Sequence, residues 1–232
     1  MKILAVETST PVGSVALMEA GQLRAEYLVN ISRTHNQRLL PAIDGILAQC
    51  GWLLSDLDAF AVGLGPGSFT GLRIGLSTIK GLAWATGKAM VGIPTLDALA
   101  ANTTPSTLPV CPVLDARKGE IYTALYRWQD LSRLEKQSDY LVLQPAEIAQ
   151  LVSEPTVVLG DGLCRFAEVL TAVLGEKLLR APQHLDHIRA SAIAWLAAER
   201  LQRGDSDDVA DCTPLYIRAS EAELLQRSSR AS

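Results

Sequence analysis

The order in which strand and helix patterns follow one another repeats once along this chain, and that repetition limits the folds open to it. In the first half, apolar runs at residues 3–6, 14–18 and 23–29 are separated by the polar turn Glu7-Thr8-Ser9-Thr10-Pro11 and by Ala20-Gly21. Connections that short predict a three-stranded antiparallel meander. Leu39, Leu40, Ile43, Ile46 and Leu47 then recur at helical spacing, behind a cap at Ser32 or Thr34 and before Gly51. A strand at 59–63 leads into Gly65-Pro66-Gly67-Ser68-Phe69-Thr70-Gly71 and a helix from about residue 70 to 85, with Gly87 beyond its end. A strand at 90–93 and a short helix through Leu99 close this half. After a Pro/Thr/Ser-rich break at 102–109 the order returns: a strand at 110–114 ending in Asp115, a turn at Arg117-Lys118-Gly119, an alternating run at 120–126 and a strand at 141–143. Then come a helix at 145–152, a strand at 156–159 ending in Gly160-Asp161-Gly162, a helix at 164–174, and a long helix at about 187–203 capped by Asp186 and stopped by Gly204. Strand-strand-strand-helix-strand-helix, twice, predicts two α/β lobes, residues 1–102 and 103–232, with a cleft between them.

Composition narrows the function classes. Of the 232 residues 48% are apolar and 20% charged, too apolar for a disordered chain. No apolar run approaches the roughly 18 residues of a membrane span, and residues 3–6 are too few for a signal-peptide core. Four cysteines without a CxxC pair predict reduced thiols and a cytoplasmic protein. The formal net charge of −4 argues against a chain that grips nucleic acid by itself, because phosphate contacts need a basic face.

The glycine stretch at 65–71 follows a strand and opens a helix, where backbone amides can meet a phosphate. It carries neither a Walker A lysine nor GxGxxG, and glycines there also let a helix lie close to its neighbours; Gly71, Gly75, Thr78 and Leu82 share one face. Packing is the better-supported role. Glu7-Thr8-Ser9-Thr10 could cradle a phosphate or hold a hydrated Mg²⁺ through the acid, or form an ordinary polar turn. Asp115 and Asp161 end strands, where an acid can act as a base but more often caps a turn. A helical metal pair at His35 would want a second ligand at position 39, which is Leu, and His184 to His187 reads as a solvated loop. No GxSxG elbow is present. The two helices of the first lobe carry more apolar surface than one core face requires, which predicts either a partner surface or deep burial.

Residues 3–10 (ILAVETST), 65–83 (GPGSFTGLRIGLSTIKGLA), 93–99 (IPTLDAL), 115–122 (DARKGEIY), 160–162 (GDG) and 214–218 (PLYIR) resemble the bacterial TsaB family. The resemblance spans nearly the whole chain, and its glycine block is the most specific part. It implies an actin-like ATPase fold of two βββαβα lobes, similar to TsaD, which transfers a threonylcarbamoyl group to adenosine 37 of tRNAs reading codons that begin with A. TsaD-like proteins hold a metal through an HxxxH pair; His35 with Leu39 lacks it. The implied role is a non-catalytic scaffold that heterodimerises with TsaD, recruits the ATPase TsaE, meets tRNA only indirectly, and self-associates when the partner is missing. It needs no cofactor of its own, ATP and metal being expected on the partner subunits. Family members pair through the first-lobe helices, which carries over to Leu39, Leu40 and Ile43 on one helix and Leu72, Leu76, Ile79 and Leu82 on the other. Glu7, Thr8, Ser9 and Asp115 would mark a vestigial nucleotide cleft. The rival expectations are an independently active ATP-dependent kinase or ATPase of this fold and, behind it, a peptidase.

Overall fold

The computed structural model describes residues 1–30 and 38–217; the expected caps Ser32 and Thr34, the lone His35, and Arg218 lie outside them. The first sheet contains β1 (Lys2–Glu7), β2 (Val12–Glu19), β3 (Gln22–Asn30), β4 (Ala59–Gly63) and β5 (Ala89–Ile93) in the order β3-β2-β1-β4-β5. Its first three strands pair antiparallel and its last two join in parallel. The second sheet repeats that path with β6 (Val110–Asp115), β7 (Ile121–Thr123), β10 (Leu141–Leu143), β11 (Thr156–Leu159) and β12 (Leu178–Arg180), ordered β10-β7-β6-β11-β12. The senses of pairing repeat as well. A hairpin of β8 (Tyr126–Trp128) and β9 (Leu134–Lys136) is added where Tyr126 pairs with Val110. Two lobes with one strand order form the actin-like arrangement, and the sequence repeat is the trace of it.

The helices are α1 (Leu39–Cys50), α2 (Phe69–Thr86), α3 (Thr95–Ala100), α4 (Gly162–Leu174) and α5 (Ala190–Gln202). α1 and α2 end where expected, at Gly51 (φ 64°) and Gly87 (φ 66°), positions whose left-handed backbone favours glycine. Successive residues of β1 face opposite ways: Leu4 and Val6 join a core with Ile43, Ile46, Leu76 and Ile79 beneath α1 and α2, while Ile3 and Ala5 join another with α3 and α5. That second core also holds Val110, Leu114 and Tyr126 of the other sheet, so α3 and α5 lie between the sheets in one continuous apolar layer. A third core packs α4 on the far side.

Several boundaries differ from the sequence expectation. Residues 145–150 form a 3₁₀ helix rather than an α-helix, Pro145–Gln150. The run at 120–126 splits, its end leaving β7 to pair as β8, and the three-residue β12 carries too little pattern to be foreseen. α5 begins at Ala190, three residues later than expected, and Asp186 does not cap it. Asp186 is buried, accepting from Gly160 N (2.9 Å) and pairing with Arg180 (3.0 Å). The cap comes from the other half of the chain. Ser14 Oγ accepts from Ala190 N (3.1 Å), and Glu26 Oε1 accepts from Ser191 N (3.0 Å) and Ser191 Oγ (2.8 Å). Thus α5, second-lobe by sequence, is seated on the first sheet.

Candidate functional site

The turn after β1 lies where α/β sheets commonly place ligands. Here Glu7, Thr8 and Ser9 are 0%, 1% and 2% exposed. Thr8 Oγ1 donates to Gly71 O (2.8 Å), Ser68 N donates to Ser9 O (2.6 Å), and Ser9 N donates to the Glu7 carboxylate. The glycines explain the closeness. A Cβ at Gly63 would overlap the Glu7 carboxylate, one at Gly67 the Ser9 backbone, one at Gly71 the Thr8 carbonyl, and one at Gly75 the Thr8 hydroxyl. The glycine stretch therefore lets α2 press onto the β1–β2 turn, rather than admitting a second helix at Gly71 and Gly75.

The loop amides with identified acceptors serve the chain itself. Gly71 N donates to Ser68 Oγ (3.2 Å) and Gly65 N to Thr95 Oγ1 (3.0 Å), while Thr95 N returns a bond to Gly65 O (2.7 Å). The motif at 93–99 is thereby tied to the glycine loop. Its Asp97 is tied to the other lobe, accepting from Tyr126 Oη (2.7 Å) and Tyr140 Oη (2.8 Å). Leu215 N donates to Leu64 O (2.7 Å), so the 214–218 motif also closes on this loop.

Of the residues expected to line a nucleotide cleft, Thr8 is thus buried against α2, Ser9 against Gly67 and Glu7 against Gly63 of β4, and Glu7 and Thr8 also line a small cavity beside Ser14, Tyr27 and Leu39. Burial pushes the Glu7 carboxyl above its usual range, against the lowering effect of its bonds from Ser9 and Thr8. Glu7 Oε2 and Ser9 Oγ are buried without well-formed hydrogen bonds, although the Ser9 hydroxyl lies close enough to the carboxyl to lower it. Asp115 belongs to a different constellation. Its N–H donates to Asp161 Oδ1 (3.0 Å), its Oδ1 accepts from Arg117 N (2.8 Å), and its Oδ2 pairs with Arg165 (3.2 Å). Burial raises the Asp161 carboxyl, opposed by the bond from the Asp115 N–H, while the Asp115 charge adds to the rise. His184 is exposed in a 3₁₀ turn and His187 is half-buried ahead of α5. Among the described residues no cluster of three His, Cys, Asp or Glu side chains could hold a metal ion. No helix among them is long and apolar enough to cross a membrane.

The residues expected at a partner surface divide sharply. Leu39, Ile43, Leu72, Leu76 and Ile79 are 6%, 2%, 1%, 6% and 0% exposed, and serve the chain's own packing. Leu82 is half-buried, while Leu40 is 50% exposed. The outward face of α2 instead carries Ser77, Gly81 and Trp84, at the i, i+4, i+7 spacing of one helix side. Trp84 is 77% exposed and Phe69, at the start of the helix, 44%. That spacing was present in the sequence, but small Ser and Gly residues carry no hydrophobic period.

A family model described as TsaD, tRNA N6-adenosine threonylcarbamoyltransferase, matches residues 29–225. The chain is 32% identical over 227 residues to the tRNA threonylcarbamoyladenosine biosynthesis protein TsaB of Bacillus subtilis (strain 168), covering 96% of each chain. It is 33% identical over 232 residues to that of Escherichia coli (strain K12), again with 96% of each covered. Its structure is similar to YeaZ from Pseudomonas aeruginosa, with a TM-score of 0.81 at 29% identity over 93% of this chain and 99% of that one. With this agreement running through both lobes, the chain belongs to the TsaB family of tRNA threonylcarbamoyladenosine biosynthesis proteins.

Proposed function

We propose that the chain is a non-catalytic subunit for threonylcarbamoyl transfer to adenosine 37 of tRNA. In this reading it heterodimerises with a TsaD subunit through the outer face of α1 and α2, recruits TsaE, and self-associates through the same face when the partner is absent. ATP and metal then belong to the partner subunits. The observation that carries this reading is the outward-facing Trp84 beside Ser77 and Gly81: a large aromatic in water next to small residues that let another helix approach. Exposed apolar surface of this kind favours association, and tryptophan is enriched among residues that dominate binding energy. The kinase alternative has less to support it, because the first-strand acid it would use is buried, its carboxylate set against Gly63 of β4. Reconstituting the modification from purified TsaC-, TsaD- and TsaE-type proteins with and without this chain tests the proposal. Modification is expected to need the chain; undiminished modification without it overturns the reading.

A further inference from the structure

The connection from β6 to β7 sets large side chains on a backbone that disfavours them. Arg117 and Lys118 have φ of 62° and 52°, Gly119 follows at 83°, and Glu120 N closes the turn on Arg117 O (3.0 Å). This is the pattern of a type I′ turn, for which Asn-Gly is the favoured pair. Only Gly119 suits its left-handed backbone; a long side chain there is uncommon and strained. Such strain is kept where surrounding structure or function requires it. Asp115 supplies the surrounding structure. Its Oδ1 accepts from Arg117 N (2.8 Å), and its Oδ2 holds Arg165 Nη1 from α4 at 3.2 Å and lies 3.7 Å from Arg117 Nη1.

One carboxylate, 15% exposed, therefore gathers guanidiniums from two elements, while their side chains remain 73% and 53% exposed. A guanidinium carries five N–H donors, and Asp115 accounts for only part of each set. Arg165 also lies 5.2 Å from the centre of the Phe166 ring.

We propose that Arg117, Lys118 and Arg165 form a contact for the phosphodiester backbone of RNA. The proposal rests on the role in tRNA modification given above, and replaces the expectation that the chain meets tRNA only indirectly. Arginine forks match phosphate oxygens in pairs, and exposed cations on a turn suit the rail of charge along a polyanion better than an enclosed free nucleotide. The net charge of −4 remains consistent with it, because a cluster of three cations adds to a partner's hold on tRNA without holding tRNA alone.

The test uses the full chain, both alone and assembled with its TsaD and TsaE partners, titrated with an unmodified tRNA transcript across a salt series. Arg117→Asn/Arg165→Gln is compared with Arg24→Gln/Arg203→Gln, which removes the same charge elsewhere. Arg117→Asn alone guards against misfolding, since Asn tolerates the left-handed backbone and Arg165 keeps its partner. The site double is expected to reduce the slope of log affinity against log salt by roughly 1–2, and to weaken binding about tenfold at low salt. The single variant gives about half that slope change with an unchanged or raised Tm, and the control stays near wild type. Wild-type affinity and slope in the site variants, or an equal loss in the control, overturns the proposal. Co-elution with the partner, measured on the same samples, reports separately on the scaffold reading.

Discussion

Glu26 and Arg189 are 163 positions apart in sequence and meet in a forked ion pair, Glu26 Oε2 lying 3.0 Å from Arg189 Nε and 2.5 Å from Nη2. The other Glu26 oxygen accepts from Ser191 N and Ser191 Oγ. One carboxylate on β3 thus both pairs with a cation and caps α5, fastening the last helix to the first sheet. Glu26→Ala removes all of these bonds and is expected to destabilise the chain by about 2 kcal/mol. Arg189→Ala leaves the cap in place and removes a side chain that is 43% exposed, so about 0.5–1 kcal/mol is expected. Urea unfolding of both variants checks the order. A larger loss for the arginine variant would show that leaving the buried Glu26 carboxylate without its cation outweighs the cap.

The glycines of α2 separate by what a side chain would meet. Gly71→Ala drives a methyl into the Thr8 carbonyl, and Gly75→Ala drives one into the Thr8 hydroxyl. Overpacking of this kind costs about 1–3 kcal/mol, offset only in part by alanine's better helix propensity. Gly81 has nothing within 4 Å, so Gly81→Ala is expected to stabilise the monomer by about 1 kcal/mol. The same methyl stands on the proposed partner face and should weaken assembly. Thermal melts of the three variants and size-exclusion with TsaD decide the matter; a destabilised Gly81→Ala contradicts it.

Leu76 and Trp84 give the sharpest contrast between core and surface. Leu76 is 6% exposed among Ile43, Ile79 and Phe60, so Leu76→Ala is expected to cost 2–5 kcal/mol through the cavity it leaves. Leu76→Asp would damage the fold before it could report on a partner. Trp84→Ala should change monomer stability by no more than about 0.5 kcal/mol, yet weaken partner binding by 2 kcal/mol or more. Calorimetric titration with TsaD, beside a monomer melt, measures both. Retained affinity in Trp84→Ala removes that residue from the interface.

The succession of elements was legible because strands show a period of two and helices a period of 3.6 in the chain itself. Outward direction was not. Leu39, Ile43 and Leu76 have the spacing of a helix face whether that face meets a sheet or a partner, and only the sheet at their back resolves which. The glycine stretch marked closeness without naming the neighbour, which proved to be Thr8 and Ser9 more than 50 residues earlier. The α5 cap could not be found locally, since Ser14 and Glu26 come from the opposite end of the chain. Asp115 appeared in sequence as a strand-end acid before the turn that holds Arg117; its second arginine partner, Arg165, became visible only once α4 packed beside β6.

Glu7 links the buried turn to pH. Its ordinary carboxyl value is 4.5, burial raises it in the folded chain, and Oε2 is left without a well-formed hydrogen bond. A folded-state value above the unfolded one means that the folded chain holds this proton more tightly. Its contribution is therefore fully present below about pH 4.5 and is lost as pH rises through the raised folded value. Glu7→Gln keeps the shape, cannot ionise, and supplies an amide group that can bond the Ser9 hydroxyl beside it. The variant is expected to be more stable than wild type at pH 8, with the advantage shrinking toward pH 4.5. Urea unfolding at several pH values measures that difference. An advantage that does not vary with pH would mean that Glu7 takes no part in the proton linkage, leaving Asp97 and Asp161, whose carboxyls burial also raises, to account for any remaining pH dependence of this sign.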